Sequence, residues 1–378
     1  GNTFVGHLAG DACLDSVNNV AIGINALGAD AVGENVAIGN SALAVCTASN
    51  NVAIGSNSGK AVTSGSQSVY IGNNAGDAVI GGANNVAIGF NALSALTAAN
   101  GSIAIGQSAG ILMTGTENVF IGNNVGAAAT SLQQSIIIGD NAAAGGTMTG
   151  SNCVVIGDNS GYNLTGGVAN TTIVGPQAGG NMTSAANCLI LGNNAGITGS
   201  PGGNITTADN NICLGDENIQ NCHIQVDWTV ASDQRDKTDF TALDVGLDFV
   251  NALKPYTYKW DKRAKYIDKT DVTTKDIDSK ITHKGWEYTA DISTITPDGT
   301  HKEDWLDIGF KAQEVETLEK AAGYKIDNKT NLTTTLTGDG KSYGIQYSKF
   351  VPILVKALQE LSAKNDALAA RIKTLEDA

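Results

Sequence analysis

A short internal repeat runs through the first 231 residues and restricts the fold more than any other feature of the sequence. An aliphatic residue followed by Gly recurs thirteen times, at steps of 17, 16, 16, 17, 17, 17, 16, 17, 18, 18, 17 and 23 residues. A repeat of this length is too short for a strand and a helix, so each unit is predicted to form one coil of a β-solenoid or β-roll. The pairs are Val5-Gly6, Ile22-Gly23, Ile38-Gly39, Ile54-Gly55, Ile71-Gly72, Ile88-Gly89, Ile105-Gly106, Ile121-Gly122, Ile138-Gly139, Ile156-Gly157, Val174-Gly175, Leu191-Gly192 and Leu214-Gly215.

The consensus of the repeat, N-N-V-A-I-G, indicates how one coil is built. In the unit at 51–55, Val52 and Ile54 alternate with Ala53, so the two larger residues are expected on one face of a short strand. Gly55 then ends the strand, because a residue without a Cβ turns most cheaply. The segments that follow such strands, for example N-N-A-G at 73–76, predict a tight corner and a second, shorter strand.

Stacking of the coils follows from their small size. One coil buries too few aliphatic side chains to offset its own backbone entropy, so the coils must lie on one another. Equivalent Asn pairs, at 18–19, 50–51 and 84–85, are then expected above one another and hydrogen-bonded along the stack. Thirteen rungs at about 4.8 Å predict a rod of roughly 60 Å. Its core is thin for a single chain, so we expect three chains to associate about a common axis.

Charge and aromatic content change abruptly near residue 231. Residues 1–231 hold 38 of the 46 Gly and twelve acidic side chains but a single basic one, Lys60, for a net charge of −11. Residues 232–378 hold 22 basic and 25 acidic side chains, for a net charge of −3. Six aromatic residues precede residue 232 and fourteen follow it. A break of this kind predicts two architectures joined near residue 231.

Composition also excludes several classes of protein. No run of about 18 apolar residues occurs, so no membrane-spanning helix is expected. The shortage of Lys and Arg in the repeat argues against nucleic-acid binding. Only 5 Pro and the lack of a Gly-X-Y period argue against disorder and collagen. No signal-peptide pattern opens the sequence, and Gly1 suggests that the natural start lies upstream.

The repeat lacks the usual patterns of ligand binding. The six Cys form no C-x-x-C pair and no His lies at metal-ligand spacing, so no metal or cofactor is predicted and the thiols are expected to be buried. Free thiols also fit assembly in a reducing cytosol. The calcium-binding series G-G-x-G-x-D is absent, and the Thr residues follow no order that would indicate an ice-binding ladder. The Cys are Cys13, Cys46, Cys153, Cys188, Cys213 and Cys222.

The unit N-V-A-I-G-x-x-[AS] resembles the head repeats of trimeric autotransporter adhesins and repeat regions of phage tail-fibre proteins. The resemblance covers residues 1–231. It implies a β-roll or β-helix shaft and says little about a ligand.

The sequence after the last repeat predicts a different kind of domain. Residues 224–230 alternate as a strand, and S-D-Q-R-D-K at 232–237 is, taken alone, typical of a polar turn that caps a helix. Residues 243–260 predict a short amphipathic helix, a Pro stop and an aromatic strand. A polar, insertion-like stretch follows at 261–305.

Three motifs in this part carry a second resemblance. They are S-D-x-R-x-K at 232–237, G-F-x-A-Q-E-V at 309–315 and Y-S-x-x-V-P at 347–352. In this order they resemble the endosialidase-type C-terminal intramolecular chaperone of phage tailspikes and tail fibres, from Ser232 to the end of the sequence. The resemblance implies a homotrimeric folding module that brings three chains into register, lets the shaft form and then cuts itself off between Ala231 and Ser232.

The same resemblance implies the roles of the residues around that bond. Ser232 matches the nucleophile and Lys237 its partner base. A Ser hydroxyl can attack the preceding carbonyl when a neighbouring amine takes its proton, and burial or a nearby cation favours the neutral amine that this needs. Arg235 would supply that charge or polarise the scissile carbonyl, while Asp233 would hold the turn or Arg235. The implied activity is at most a single-turnover Ser-Lys self-cleavage without an external substrate.

The last segment contains a heptad pattern. Seven residues spaced 4, 3, 4, 3, 4 and 3 apart predict a coiled-coil seam, in which a single Asn among Leu and Ile is a register device. The alternative is an amphipathic helix packed on its own domain. The seam residues are Leu354, Leu358, Leu361, Asn365, Leu368, Ile372 and Leu375.

These observations favour a mainly β, homotrimeric structural protein. Residues 1–231 are predicted to form a β-solenoid shaft, residues 232–350 a small α+β chaperone and self-cleaving domain, and residues 351–378 a trimeric coil. We expect the receptor-binding part of a bacteriophage tail fibre or tailspike, located in the virion after assembly in the host cytoplasm. Expected partners are two further copies, a host surface receptor such as a glycan, and other tail proteins bound through a missing N-terminal region. Neither nucleic acid nor membrane insertion is expected.

Two alternatives remain at this point. A trimeric bacterial adhesin would need a C-terminal membrane barrel, where this sequence has a heptad helix. A glycan-cleaving tailspike would need paired carboxylates in a groove, whereas glycan binding without cleavage stays open. The acidic residues of the repeat are scattered, and Tyr70, Phe90, Phe120 and Tyr162 either stack on sugars or fill the shaft. Those acidic residues are Asp11, Asp15, Asp30, Glu34, Asp77, Glu117, Asp140 and Asp158.

Overall fold

The chain divides into two units. A computed structural model describes residues 1–13, 15–225, 227–267, 269–275, 281–288 and 291–377, with the backbone alone for 269–275 and 281–288. The first unit contains Gly1–Asn218 and Ile267–Asp291, and the second contains Ile219–Tyr266 and Ile292–Ala378. Residues 219–231, assigned above to the shaft, therefore fall in the second unit.

The first unit is a β-solenoid with one rung for each sequence repeat, as predicted. Thirteen strands form one parallel sheet in the order β1-β2-β3-β4-β5-β6-β7-β8-β10-β12-β14-β15-β16, and three more form a second sheet in the order β13-β11-β9. In chain order the strands are β1 Thr3–Val5, β2 Val20–Ile22, β3 Val36–Ile38, β4 Val52–Ile54, β5 Val69–Ile71, β6 Val86–Ile88, β7 Ile103–Ile105, β8 Val119–Ile121, β9 Ser131–Gln133, β10 Ile136–Ile138, β11 Met148–Ser151, β12 Val154–Ile156, β13 Gly166–Ala169, β14 Thr172–Val174, β15 Leu189–Leu191 and β16 Ile212–Leu214.

The middle residue of each three-residue strand in the main sheet points into the coil. Ala21, Ala37 and Ala53 are fully buried, whereas the flanking Val and Ile of the same strands are half-buried or exposed. Val and Ile therefore share one face, as expected, but it is the outer one. The interior of so narrow a coil has room for one side chain per strand, and alternation turns its two neighbours outward.

Three coils have an aromatic residue, Phe4, Tyr70 or Phe120, at the middle strand position, and each has a Gly six residues later. Tyr70 and Phe120 are completely buried. A Cβ on Gly76 would lie 2.3 Å from Cδ1 of Tyr70, and one on Gly126 would lie 2.5 Å from Cε1 of Phe120. In three of the five coils whose middle residue is Ala, the equivalent later position holds a buried Leu, such as Leu93 in the coil of Ala87. Large and small side chains thus alternate across the core to keep its volume constant.

The Gly that ends each strand is required by the next coil. Gly23 has φ +133°, and a Cβ there would lie 2.5 Å from the carbonyl oxygen of Gly39. The first residue of each Asn pair lies just before the strand, at its opposite end, and it also has a positive φ. Asn18, Asn50 and Asn84 have φ between 60° and 62°, in the left-handed region that Asn tolerates better than most residues.

The second residue of the Asn pairs forms the predicted stack, with a different bonding pattern. The side-chain oxygen of Asn19 accepts the backbone N–H of Asn35 at 2.9 Å, and that of Asn35 accepts the N–H of Asn51 at 3.0 Å. Asn51 in turn accepts the N–H of Ser68, and Ser68 that of Asn85. The side chains therefore satisfy buried backbone donors one coil away, which a Ser can also do.

Several Thr residues recur at one position of the coil, an order that the sequence analysis did not detect. At the turn preceding the next strand, five Thr hydroxyls each donate to a carbonyl of the following coil at 2.9 to 3.2 Å. The spacing varies by one or two residues between coils, which hid the ladder in the sequence. The donors are Thr47, Thr63, Thr114, Thr165 and Thr183.

The thiols follow the prediction in part. Cys46, Cys153, Cys188 and Cys213 are buried, but Cys13 is half-buried and Cys222 is exposed. Burial raises the pKa of the Cys46 and Cys153 thiols, partly opposed by hydrogen bonds, as expected for inert side chains in an apolar core.

The second unit contains three helices and two small antiparallel sheets. The short helix and strand expected at 243–260 are α1 Leu247–Ala252 and β17 Tyr256–Tyr258. Between β17 and the next strand of its sheet, the chain forms a hairpin of β18 Lys269–Lys275 and β19 Ile281–Tyr288. Then follow β20 Asp307–Gly309, α2 Ala312–Ala321, β21 Thr334–Leu336, β22 Tyr343–Ile345 and α3 Phe350–Glu376. Strand β17 pairs with β20 and β21 pairs with β22.

A small apolar core joins these elements. Val245 and Phe249 from the first helical region pack with Val315 of α2 and with Phe350 and Ile353 of α3. The strand expected at 224–230 does not form among its described residues, and Val226 lies outside them. None of the described helices is both long and apolar enough to cross a membrane.

A buried carboxylate ties α2 to the strand that follows it. Glu319 is 1% exposed, and its Oε1 accepts the N–H of Thr333 at 2.7 Å and the hydroxyl of Thr333 at 2.6 Å. It also accepts the N–H of Thr334, whose hydroxyl donates to Oε2 at 2.6 Å. Burial alone raises the pKa of Glu319, but these four hydrogen bonds outweigh it and leave the pKa below its ordinary value.

We expect this carboxylate to make the second unit sensitive to acid. A lowered folded-state pKa contributes stability that is complete above the unfolded pKa of about 4.3 and is lost as the pH falls through the folded value. Glu319→Gln should flatten the acid side of the unfolding free energy, and Glu319→Ala should cost about 1–3 kcal/mol at neutral pH because it leaves buried donors unpaired. Denaturant unfolding across the acid range tests both, with exposed Glu376→Gln as the control. Equal acid sensitivity in Glu319→Gln and in the parent would contradict this role.

Candidate functional site

The polar segment at 232–237 folds into a tight turn. A 3₁₀-helix spans Gln234–Asp236, and Asp233 caps it: its carboxylate accepts the N–H of Arg235 at 2.9 Å. The N–H of Lys237 then donates to the carbonyl of Gln234, which closes the turn. The capped turn predicted from the hexapeptide at 232–237 is therefore present. The turn reverses the chain, so that Lys237 lies close to Ser232.

This turn brings Ser232 and Lys237 together. Nζ of Lys237 donates to Oγ of Ser232 at 2.5 Å and lies 3.3 Å from the carbonyl oxygen of the same residue. The two side chains that the chaperone resemblance pairs as nucleophile and base thus form a direct contact. A distance of this size permits proton transfer between the hydroxyl and the amine.

Asp233 and Arg235 form a second pair on the same turn. The Nη2 and Oδ2 atoms lie 2.6 Å apart, and Nε donates to both carboxylate oxygens. The hydrogen bonds from Arg235 lower the pKa of Asp233, and the bond to Asp233 raises the pKa of Arg235. The guanidinium is thus engaged by the capping carboxylate, so this pair stabilises the turn that places Lys237.

The site is open to solvent within a single chain. Ala231, Ser232 and Lys237 are all exposed, and Trp228 and Val230, just before the bond, are 75% and 77% exposed. The chain therefore supplies the dyad and its turn, while nothing in the described residues of the turn removes the Lys amine from water. Burial by another molecule would favour the neutral amine that a base requires.

The seam residues lie on α3 and face away from the core of their own unit. The predicted seam is exposed along its length, from Leu354 to Leu375, whereas Phe350, Ile353 and Ala357 point inward. The inner face of the first turns of α3 therefore packs on its own unit, and the coiled coil stays a prediction for the exposed face. Val351, which sequence reasoning did not include, is exposed one heptad before Leu358 and extends the seam.

Glu360 is a second residue that the sequence analysis missed. Its Oε2 accepts the N–H of Leu247 at 2.8 Å, so α3 caps the N-terminus of α1. The N-cap residue of α1 is Gly246, where a Cβ would lie 2.5 Å from the same Oε2. Nothing in the local sequence signals this contact, because its partners are 113 residues apart.

Other candidate sites find little support. No group of three His, Cys, Asp or Glu side chains that could hold a metal ion occurs among the described residues. Of the aromatic residues considered for sugar stacking, Tyr70 and Phe120 fill the core of the solenoid. Phe90 is exposed and Tyr162 is half-buried.

Comparison with known proteins agrees with the second resemblance. A family model described as chaperone of endosialidase matches residues 232–324. The match begins at Ser232, the first residue of the turn, and ends before the motif at 347–352. No curated protein and no solved structure matches the chain. The chain thus joins a β-solenoid of stacked repeats to a region that matches the chaperone of endosialidase.

Proposed function

We propose that the chain is the distal part of a homotrimeric phage tail fibre or tailspike, made as a shaft with a C-terminal chaperone that releases itself. The observation that carries this proposal is the contact between Lys237 and Ser232 at the first residue of the matched region. A nucleophile and a base meet where a repetitive shaft gives way to a folding module. A purely structural junction has no need of that arrangement.

The reaction would proceed as follows. The neutral amine of Lys237 takes the hydroxyl proton while Oγ of Ser232 attacks the carbonyl carbon of Ala231. The C–N bond then breaks, the amide nitrogen receives the proton from Lys237, and an ester joins Ala231 to Oγ. Water hydrolyses the ester, which leaves a carboxylate on Ala231 and a free amino group on Ser232. Each chain cuts one bond, its own, and no external substrate is consumed.

The trimer is supported by the exposed seam of α3. A helix with a heptad row of Leu and Ile in solvent, interrupted only by Asn365, is unfavourable until another helix covers it. The seam continues past the last contacts of α3 with its own unit, and copies of the same helix have the matching spacing to cover it. We place the number at three because the solenoid is thin and because the chaperone resemblance implies a trimer.

Asn365 provides a test of the seam. Replacement of Asn365 by Ile should stabilise the coil by about 1–3 kcal/mol per chain, because an amide is removed from an apolar interface. The same change should loosen the choice of register and oligomer state. Thermal unfolding and native mass spectrometry measure the two effects, with Asn365→Gln as a polar control. A change within about 0.5 kcal/mol, as expected for an exposed surface site, would exclude a packed seam at this position.

One experiment tests the function as a whole. Native mass spectrometry of the purified chain, beside denaturing electrophoresis, reports the oligomer and the scission together. We expect trimers whose denatured chains separate into two pieces meeting at Ala231–Ser232. A stable monomer would overturn the proposal. Trimers that stay uncut after long incubation would contradict the proposed self-release. They would not contradict the proposed shaft and trimeric coil.

The remaining partners and the location follow from the same proposal. We place the protein in the virion, after assembly in the host cytoplasm, with other tail proteins bound through a region upstream and a host surface receptor bound by the fibre. Glycan binding without cleavage is the second candidate, and exposed Phe90 is the observation that favours it. A glycan array with the full chain, compared with Phe90→Ala, tests this candidate. The trimeric adhesin alternative rests on the repeats alone.

A further inference from the structure

The main sheet has an apolar outer side along its whole length. We call it the outer strand face; it is formed by the first and third residues of the thirteen strands. All of these residues are Val, Ile or Leu except Thr3 and Thr172. Not one of them is buried, while the middle residue is buried in every strand but β1. Ile212, Val5 and Leu214 at the two ends are 72%, 57% and 44% exposed.

This pattern differs from that of a sheet with one solvent-exposed face. Strands with a solvated face alternate apolar and polar residues, whereas strands of parallel sheets that are covered on both sides read as continuous apolar runs. The V-A-I and V-F-I triplets are of the second kind. Among the described side chains of the first unit, the core residues of each coil cover the inner side of these strands.

Charge is excluded from the same face. Residues 1–231 hold twelve acidic side chains and Lys60, yet none of these thirteen charges occupies an outer strand position. Copies of so acidic a rod repel one another wherever their acidic residues approach, so an uncharged strip is where they can meet. An acidic or basic partner would find no complementary charge there.

The dimensions of the strip set the area that each copy can bury. Thirteen strands at about 4.8 Å and three residues at about 3.3 Å give a strip of about 600 Å². Three copies would together cover about 1,800 Å², or about 600 Å² at each of three contacts, which is less than one stable two-chain interface buries, so the strip and the α3 seam would have to hold the copies together jointly. The exposed seam of α3 independently calls for copies of the same chain.

We propose that the copies of the shaft pack together through the outer strand face, with the Val and Ile columns of each copy covered by those of its neighbours. This inference rests on the trimer of the proposed function and assigns the surface that forms it. The corner residues after each strand-ending Gly, such as Ser56 and Asn73, remain in solvent.

Thiol labelling tests the assignment without disturbing the fold. In a Cys222→Ser background, Ile71→Cys and Asn73→Cys place one thiol each on the face and on the adjacent corner of the same coil. In a single chain Asn73 is exposed and Ile71 is half-buried, so the labelling rates are compared with those of the dissociated chain. In the oligomer we expect the thiol at 71 to react with a maleimide at least about tenfold more slowly than the thiol at 73, because the centre of an interface excludes water.

A charge series gives a second, independent readout. The triple variant Ile54→Glu, Ile71→Glu and Ile88→Glu should lower the dissociation temperature of the oligomer by at least about 10 °C. The matched control, Ser56→Glu, Asn73→Glu and Phe90→Glu, adds the same charge to the same coils and should leave that temperature nearly unchanged. If the parent is trimeric but the thiols at 71 and 73 react at equal rates, the face assignment is wrong and the trimer stands. The same conclusion follows if the two triple variants lower the dissociation temperature equally. A monomeric parent overturns both.

Discussion

Replacement of Ser232 by Ala is expected to leave the 38.6 kDa chain in one piece. The variant lacks the hydroxyl that the turn places beside Lys237, so cleavage at Ala231–Ser232 should slow by at least about a thousandfold. Assembly should be unaffected, because Ser232 is exposed and contributes to no core. Time-resolved denaturing electrophoresis with intact-mass analysis gives the rate, and native mass spectrometry gives the oligomer.

Substitution of Lys237 distinguishes a role of its amine as a base from a role of its positive charge. Lys237→Arg keeps the positive charge near Ser232 but cannot give up a proton at neutral pH, so it should cleave about a hundredfold more slowly or worse. Asp233→Asn keeps an acceptor for the Arg235 N–H and should slow cleavage less than either change. Lys259→Ala, exposed and outside the turn, is the control. Parent-like cleavage in Ser232→Ala or Lys237→Arg would show that the dyad does not carry the reaction.

The second large effect concerns the core of the solenoid. Tyr70→Ala should destabilise the first unit by about 3–5 kcal/mol, the usual cost of removing a buried aromatic ring. Tyr70 lies wholly inside its coil, where its ring fills the space left by Gly76 and touches Gly59 of the preceding coil. The ring therefore supports two coils at once. Denaturant unfolding followed by circular dichroism measures the loss.

A compensating change should recover much of that stability. Tyr70→Ala with Gly76→Leu recreates the arrangement of the coil that contains Ala87 and Leu93. The left-handed backbone at position 76, φ 58°, is also that of Leu93, φ 50°, so a Leu is compatible with this corner. Gly76→Leu alone should be destabilising, because its side chain meets the Tyr70 ring. A double variant no more stable than Tyr70→Ala would argue against volume exchange within the coil.

Much of the first unit could be predicted because its repeat is local. The spacing of thirteen Gly residues determines the number of rungs, and the Asn that precedes about half of the strands predicts the buried stack. The direction of the side chains could not be read in the same way. The alternation predicts that the side chains of Val52 and Ile54 share one face of the strand. It does not predict whether that face lies inside or outside the coil, because this depends on the width of the coil.

The second unit was harder to predict, since its contacts join distant segments. The heptad of α3 is visible in the sequence, but the cap that Glu360 places on α1 is not. Residues 224–230 alternate like a strand and form none among those described, because a strand needs a neighbour to bond to. The pairing of Ser232 with Lys237 came from a resemblance, and the capped turn between them gives it a physical basis.

Sequence alone therefore accounts for the architecture of this chain: the periodic Gly and Asn, the charge break near residue 231 and the heptad are local patterns with direct geometric consequences. The fold was needed to show that the larger aliphatic side chains point outward, that Tyr70 and Phe120 fill the core, and that an amine touches the hydroxyl of Ser232. These properties depend on distances between residues in different coils or turns. Such distances arise only when the backbone has closed, so no pattern along the chain could reveal them.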